Sequence, residues 1–183
     1  MDKGLKSKET LDFVLELIAN GNKVDIIRGN HEQMFLDSIN SPQALKKWFR
    51  NGGKETLDSF EVYNPGFIDE VYIELINSTV PYLLVNDFVI THAGLNFDIS
   101  NPLHDTLKMQ TIRNAYCDTS KIDERRLIVG HTPYDIDKII NSLKNDLIYL
   151  DGGCVYNKKV QGLGNLVALE LNEMELFYIK NID

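Results

Sequence analysis

The stretch "RGNHEQMF", Arg28–Phe35, follows the apolar run "VDII" and turns on Gly29. A turn at a strand end uses a glycine and an asparagine, but it has no need of an imidazole and a carboxylate directly behind them. The apolar run predicts a short buried strand, and the residues after it predict a helix. This arrangement places Asn30 and His31 where ligands bind in α/β folds. Glu32 is interpreted as a helix-start residue stabilised by the helix dipole, in preference to a direct chemical role.

Outward from this stretch, helix patterns alternate with strand patterns early in the chain, and strands cluster late. A first helix is predicted to be capped by Ser7 and to stop at Gly21. Further helices are predicted in "EQMFLDSI", "PQALKKWF", "FIDEVYIELINS", "TLKMQTIRNAY" and "IDKIINSLK", with "NGGKE" as a loop. Strands are predicted in "KVDII", "YLLV", "FVIT", "RRLIVG", "LIYLDGG", "GNLVALEL" and "MELFYI", the last two as a hairpin around Asn172-Glu173. The pattern predicts an α/β chain with mixed sheets, in one domain over residues 1–183.

The composition is that of a globular protein, with 183 residues, 43% hydrophobic and 25% charged. The net charge of -8 disfavours nonspecific binding to nucleic acid or to an anionic membrane. Cys117 and Cys154 are too few for a disulfide framework, which favours a reducing, cytoplasmic location. No apolar run reaches membrane-spanning length.

Three of the four histidines follow an apolar run and lie beside a glycine or a small residue: His31 in "VDIIRGNH", His92 in "FVITHAGL" and His131 in "RLIVGHTPY". If these runs are neighbouring strands, Asn30, His92 and His131 converge on one rim. Imidazole nitrogen and amide oxygen suit zinc, manganese or iron. They can hold one ion, but a second ion about 3.5–4 Å away needs a bridging ligand. Any one such histidine can instead be a turn or surface residue, and His104 is interpreted in that way.

The motifs "RGNHE", "THAGL" and "GHTP" occur in an order that resembles the calcineurin-like metallophosphoesterases. The chain is most similar to the bacterial branch of their phosphoprotein (serine/threonine) phosphatases. Further similarity lies in "WFRNGGKETLDSF" (48–60), "TIRNAY" (111–116), "LDGGCVY" (150–156) and "GLGNLVALEL". The resemblance implies an αββα sandwich of mixed sheets. It also implies metal-dependent phosphoester hydrolysis by a metal-activated hydroxide.

The resemblance also implies roles for individual residues. His31 takes the position of the general acid that protonates the leaving oxygen, and Asp2 that of the carboxylate bound to it. Asn30, His92 and His131 take metal-ligand positions.

The resemblance implies phosphate binding at two further positions. Arg113 of "TIR" matches a phosphate-binding arginine, although Thr111 stands where the family has tryptophan. Lys3 also matches a phosphate-binding arginine, and an ammonium group neutralises phosphate without making a bidentate fork. Outside the resemblance, Arg113 is equally well read as a surface residue of a helix.

The family begins with D-x-H on one strand and G-D-x-x-D-R-G on the next, and "DKG" at Asp2–Gly4 matches only the end of the second motif. We therefore expect an N-terminally truncated phosphatase domain that lacks its first strands and the metal-bridging aspartate. The complete enzyme is expected to hold two divalent ions, with manganese first and iron or zinc as alternatives. At most one ion is expected in this chain.

The first expected substrate is phosphoserine or phosphothreonine in a protein. The alternative is diadenosine tetraphosphate or another small phosphoester. A hypothesis of a different class is a non-catalytic remnant or binding module. No nucleic acid or membrane partner is expected.

Overall fold

The computed structural model describes residues 1–114, 116–157 and 159–182. The chain forms two compact units, Met1–Val80 and Pro81–Asp183. Within the described residues, no helix combines the length and apolar character needed to cross a membrane.

The first unit is built of helices around an aromatic centre. Phe35 and Trp48 are completely buried and meet edge to face, with ring centroids 5.4 Å apart. The core also contains Met34, Leu57, Ile68, Tyr72 and Ile76. The helices are α1 (Ser7–Ala19), α2 (Asn30–Asn40), α3 (Pro42–Phe49), α4 (Gly53–Ser59) and α5 (Glu70–Asn77), with a 3₁₀ turn at Pro65–Phe67.

The strand predicted in "KVDII" is wrong, because this segment makes only an isolated bridge between Ile27 and Val80. The Arg28 N–H donates to the Val80 carbonyl at 2.7 Å, and the Val80 N–H donates to the Ile26 carbonyl at 2.9 Å. A strand requires a partner of comparable length, which an apolar run by itself cannot reveal.

Two local predictions in the first unit also need correction. Ser7 is the first residue of α1, with Lys6 at the cap position, and its hydroxyl lies 3.2 Å from that of Thr56. The predicted loop "NGGKE" contains the start of α4 at Gly53.

The second unit contains a four-stranded sheet in the order β1-β2-β3-β4. The strands are β1 (Tyr82–Val85), β2 (Phe88–Thr91), β3 (Arg126–Val129) and β4 (Leu147–Tyr149), with α6 (Ile136–Ser142) between β3 and β4. β1 and β2 are antiparallel, whereas β2, β3 and β4 run parallel. The sheet is therefore mixed, and the α/β fold class is confirmed. The core on this sheet includes Val89, Leu95, Phe97, Met109, Ile122, Leu127, Val129 and Leu147.

The predicted C-terminal hairpin is confirmed as β5 (Asn165–Glu170) and β6 (Glu175–Lys180), paired antiparallel. Leu166 opposes Ile179 in this register, and both are largely exposed, as is Phe177. The hairpin thus presents an apolar face.

The helix predicted in "TLKMQTIRNAY" is wrong, because only Lys108–Gln110 forms a 3₁₀ turn and residues 112–114 are irregular. Ala115 of this segment lies outside the described residues. The remaining 3₁₀ turns are Pro102–His104, Thr119–Lys121 and Cys154–Tyr156.

Candidate active site

His31 is held by a buried carboxylate in the first unit. Its Nδ1 donates a hydrogen bond to Asp2 Oδ2 over 2.7 Å. The Asp2 side chain is fully buried, and the His31 side chain is 19% exposed. A carboxylate that binds Nδ1–H fixes the orientation of the imidazole and leaves Nε2 for proton exchange. The pairing of Asp2 and His31 is the geometry expected of an oriented general acid.

The start of α2 explains how His31 reaches this position. Gly29 has an extended conformation, and the helix begins at Asn30. The Glu32 side chain accepts a hydrogen bond from the Gly29 N–H at 3.0 Å, which completes a capping interaction. Glu32 is therefore a helix-start residue, as interpreted from the sequence.

Two residues that the sequence did not single out complete the surroundings of Asp2. The Trp48 indole N–H donates to Asp2 Oδ2 at 2.9 Å. The Thr56 hydroxyl donates to Asp2 Oδ1 at 2.7 Å. Both residues lie in the segment 48–60 whose similarity to the phosphatases is visible in the sequence. That similarity was the available signal, but it assigned no role to either side chain.

The remaining predicted residues of the first unit lie next to this pair in the chain. Asn30 is the first residue of α2 and is half-buried. Lys3 has an exposed side chain, and its backbone N–H donates to the Gly52 carbonyl at 3.4 Å. Asp2 and Lys3 have φ angles of 69° and 60°. Non-glycine residues rarely adopt this left-handed conformation, and it persists where surrounding contacts hold it.

His92 and His131 come together in the second unit, as predicted. They follow β2 and β3, which are parallel neighbours with Thr91 opposite Val129. The Gly130 N–H donates to the His92 carbonyl at 2.9 Å, which extends the pairing past the strands. His92 Nε2 then lies 3.0 Å from His131 Nδ1. The φ angle of His131 is 65°, a left-handed conformation that non-glycine residues rarely adopt.

The two ring nitrogens lie at hydrogen-bonding distance, and the same separation would also suit two ligands of one metal ion. Metal–nitrogen bonds of about 2.0–2.1 Å place two adjacent ligand nitrogens roughly 3 Å apart. The observed separation between His92 Nε2 and His131 Nδ1 is 3.0 Å. Among the described residues, no group of three or more His, Cys, Asp or Glu side chains is placed to hold an ion. Imidazole nitrogens such as these are ligands suited to a transition ion.

Arg113 contacts Thr132, the residue that follows His131. Its Nε donates to the Thr132 hydroxyl at 3.1 Å, and its side chain is exposed. Arg113 and Thr132 line a small pocket together with Ala93, Gly130, Tyr134 and Tyr149. Burial, followed by the nearby Tyr134, raises the pKa of the Tyr149 hydroxyl.

Asn114 is a second residue that the sequence did not assign. Its side-chain amide accepts from the Leu95 N–H at 2.8 Å and donates to the Leu95 carbonyl at 2.9 Å. A Cβ at Gly94 would lie 2.0 Å from Asn114 Oδ1. The glycine of "THAGL" therefore lets the segment of Arg113 pack against the loop after His92.

Comparison with known proteins gives a partial match to a phosphatase. No protein-family model matches the chain. The chain is similar to "Shewanella-like protein phosphatase 1" of Plasmodium berghei (strain Anka), with 29% identity over 118 residues. The similarity covers 60% of this chain and 31% of that protein, so this chain spans about a third of the length of its relative. The printed name of that relative describes a protein phosphatase.

Proposed function

We propose that the chain carries the proton-donor and second-metal part of a metal-dependent phosphoester hydrolase of the calcineurin-like protein phosphatase type. The observation that carries this proposal is the hydrogen bond of 2.7 Å between His31 Nδ1 and the buried Asp2. An imidazole in this setting is oriented to give a proton from Nε2 to a leaving alcohol oxygen. Asp2 stabilises the imidazolium before transfer and keeps the correct nitrogen protonated.

Divalent ions, when bound, supply Lewis acidity and an activated water as the nucleophile. His92 and His131 are proposed as ligands of one ion, because their nitrogen spacing fits. Asn30 is proposed as a further ligand through its amide oxygen. The complete enzyme is proposed to hold two ions, manganese first, and this chain at most one.

Lys3 and Arg113 are proposed to offset the charge of the phosphoryl oxygens. The Arg113 guanidinium uses Nε to bind Thr132, which leaves its two terminal nitrogens with the geometry for a bidentate contact. The Lys3 ammonium adds a point charge. The relative is named a protein phosphatase, which favours phosphoserine or phosphothreonine in a protein over a dinucleotide as substrate.

The test compares two proteins, the chain itself and the chain preceded by a segment that carries D-x-H and the bridging aspartate. With manganese, the extended protein should hydrolyse p-nitrophenyl phosphate and a phosphoserine peptide. Because the activated water is proposed to need both ions and only one is proposed for the unextended chain, that chain should show essentially no turnover. An extended protein with A-x-A in place of D-x-H is the matched control.

Two outcomes contradict the proposal. One is an extended protein that folds and binds two manganese ions but hydrolyses neither substrate. The other is equal activity of the A-x-A control, which would locate hydrolysis outside the proposed metal centre.

A further inference from the structure

We propose that Trp48 and Thr56 are positioning residues, which hold Asp2 so that its carboxylate fixes the orientation of the His31 ring. The catalytic meaning of this arrangement rests on the proposed function. The hydrogen-bond arrangement itself does not.

The Asp2 carboxylate is the meeting point of three side-chain donors from three helices. His31 of α2 and Trp48 of α3 both donate to Oδ2, at 2.7 and 2.9 Å. Thr56 of α4 donates to Oδ1 at 2.7 Å. A carboxylate held at both oxygens cannot rotate about its Cβ–Cγ bond without breaking a buried hydrogen bond, which is costly.

The direction of the Thr56 hydrogen bond follows from its other contacts. Thr56 Oγ1 accepts from the Asp2 backbone N–H at 3.2 Å and lies 3.2 Å from the Ser7 hydroxyl. A threonine hydroxyl has one proton and two acceptor positions. With the Asp2 N–H as a donor to it, and Ser7 able to supply the second, the Thr56 proton is left for Asp2 Oδ1. Thr56 therefore binds both the backbone and the side chain of Asp2, whose φ angle of 69° needs such support.

The Trp48 ring reaches Asp2 because of a glycine. A Cβ at Gly53 would lie 2.3 Å from the Trp48 ring atom Cδ2. Any larger residue would push the indole off the start of α4 and away from Oδ2. A tryptophan that served only as core filling would require burial but no specific acceptor, and here the acceptor is the same oxygen that binds His31.

The experiment uses the full chain with 15N-labelled histidine rings, and it measures how fast the His31 Nδ1 proton exchanges with water. His31→Gln identifies the signal. Trp48→Phe removes the indole N–H and keeps an aromatic ring, and Thr56→Val removes the hydroxyl at nearly constant volume. Each should accelerate exchange by about tenfold, the weight of one hydrogen bond to a charged group.

Two controls separate positioning from general loosening of the core. Thr56→Ser restores the hydroxyl and should return the exchange rate to that of the unaltered chain. Ile76→Val reduces the same core without touching Asp2 and should leave the rate unchanged. If Trp48→Phe does not fold, the Thr56 pair of variants decides the question.

Unchanged exchange in the folded Trp48→Phe and Thr56→Val variants would overturn the inference, as would equal acceleration in Ile76→Val. The measurement requires no turnover. A chain with the expected exchange pattern whose extended form is inactive would therefore refute the proposed function and leave the positioning intact.

Discussion

The two groups of predicted site residues are built in different ways. In the first unit, His31 is oriented by a buried side chain, Asp2, which is itself held by Trp48 and Thr56. In the second unit, His92 and His131 are brought together by the backbone register of two parallel strands. The proton donor proposed here would need one nitrogen kept protonated in one orientation, which a hydrogen-bond partner on the ring provides. The proposed pair of metal ligands would need mainly a fixed separation, which strand pairing provides.

The largest effect that tests this difference is on catalysis by the extended protein. His31→Ala should lower turnover of a phosphoserine peptide by about 10²–10⁴-fold, the usual weight of general acid catalysis. The loss should be smaller on p-nitrophenyl phosphate, whose leaving group needs little protonation. His131→Ala should lower turnover of both substrates alike. Steady-state kinetics with both variants check this, and equal losses for His31→Ala on the two substrates would remove its assignment as the acid.

Metal binding by the chain itself tests the histidine pair of the second unit. We expect at most one transition ion per chain, weakly held. Loss of a residue that only hydrogen-bonds to a metal ligand costs roughly 10–100-fold in metal affinity. His92→Ala or His131→Ala, which removes a proposed ligand itself, should weaken metal affinity by more than that. His104→Ala, an exposed histidine, is the matched control. Metal analysis after dialysis gives the stoichiometry, and two tightly held ions would contradict the expectation.

Two glycine variants should each disturb one group. Gly53→Ala brings a Cβ to 2.3 Å from the Trp48 ring, and Gly94→Ala brings one to 2.0 Å from Asn114 Oδ1. Overpacking of this kind costs about 1–3 kcal/mol of unfolding free energy. Urea denaturation measures the loss, and histidine ring spectra should change at His31 for Gly53→Ala and at His92 and His131 for Gly94→Ala. Gly66→Ala, where the nearest atom is 3.3 Å away, is the control.

A smaller effect is expected at Thr132, because it acts through Arg113. In the extended protein, Thr132→Val removes the acceptor of the Arg113 Nε hydrogen bond. KM for both substrates should rise by about threefold to tenfold, the weight of one such hydrogen bond. Thr132→Ser keeps the hydroxyl and should behave as the unaltered protein. A rise in KM with Thr132→Ser equal to that with Thr132→Val would count against this role.

The smallest effect concerns Cys117, a residue of the second unit. Burial, with the charge of Asp146 as a lesser cause, raises the pKa of its thiol from 9.0 to about 11. The folded chain thus holds this proton more tightly than the unfolded chain, so stability should fall as pH rises from about 9 to about 11. Urea denaturation across that range should show a shallower decline for Cys117→Ser. Rapid alkylation of the folded chain by iodoacetamide at pH 8 would contradict the raised pKa.

The histidine pair illustrates what could be predicted from sequence. The runs "FVIT" and "RLIV" have the length and composition of buried strands, and a histidine after each is placed by the chain itself. The sequence does not show that the two strands are neighbours. The structure shows that they pair in parallel. The run "VDII" has the same appearance, but within the described residues it makes only the bridge between Ile27 and Val80. Periodicity does not encode pairing partners.

The helix prediction for the segment around Arg113 is wrong for a similar reason. "TLKMQTIRNAY" has helical spacing, but Asn114 binds the backbone of Leu95, nineteen residues earlier, and residues 112–114 are irregular. This contact between distant segments holds the chain around Asn114, and helical spacing carries no information about it.

The sequence by itself determined the elements that local pattern controls: α1, α2, α3, the C-terminal hairpin, the strand ends at His92 and His131, and the helix-start role of Glu32. The resemblance carried by its motifs assigned Asp2 to His31. Only the tertiary structure decided what holds Asp2, since Trp48 and Thr56 lie 46 and 54 residues from it in the chain. Local pattern cannot report such contacts, because a buried donor and its acceptor are matched by the packing of helices that are distant in sequence.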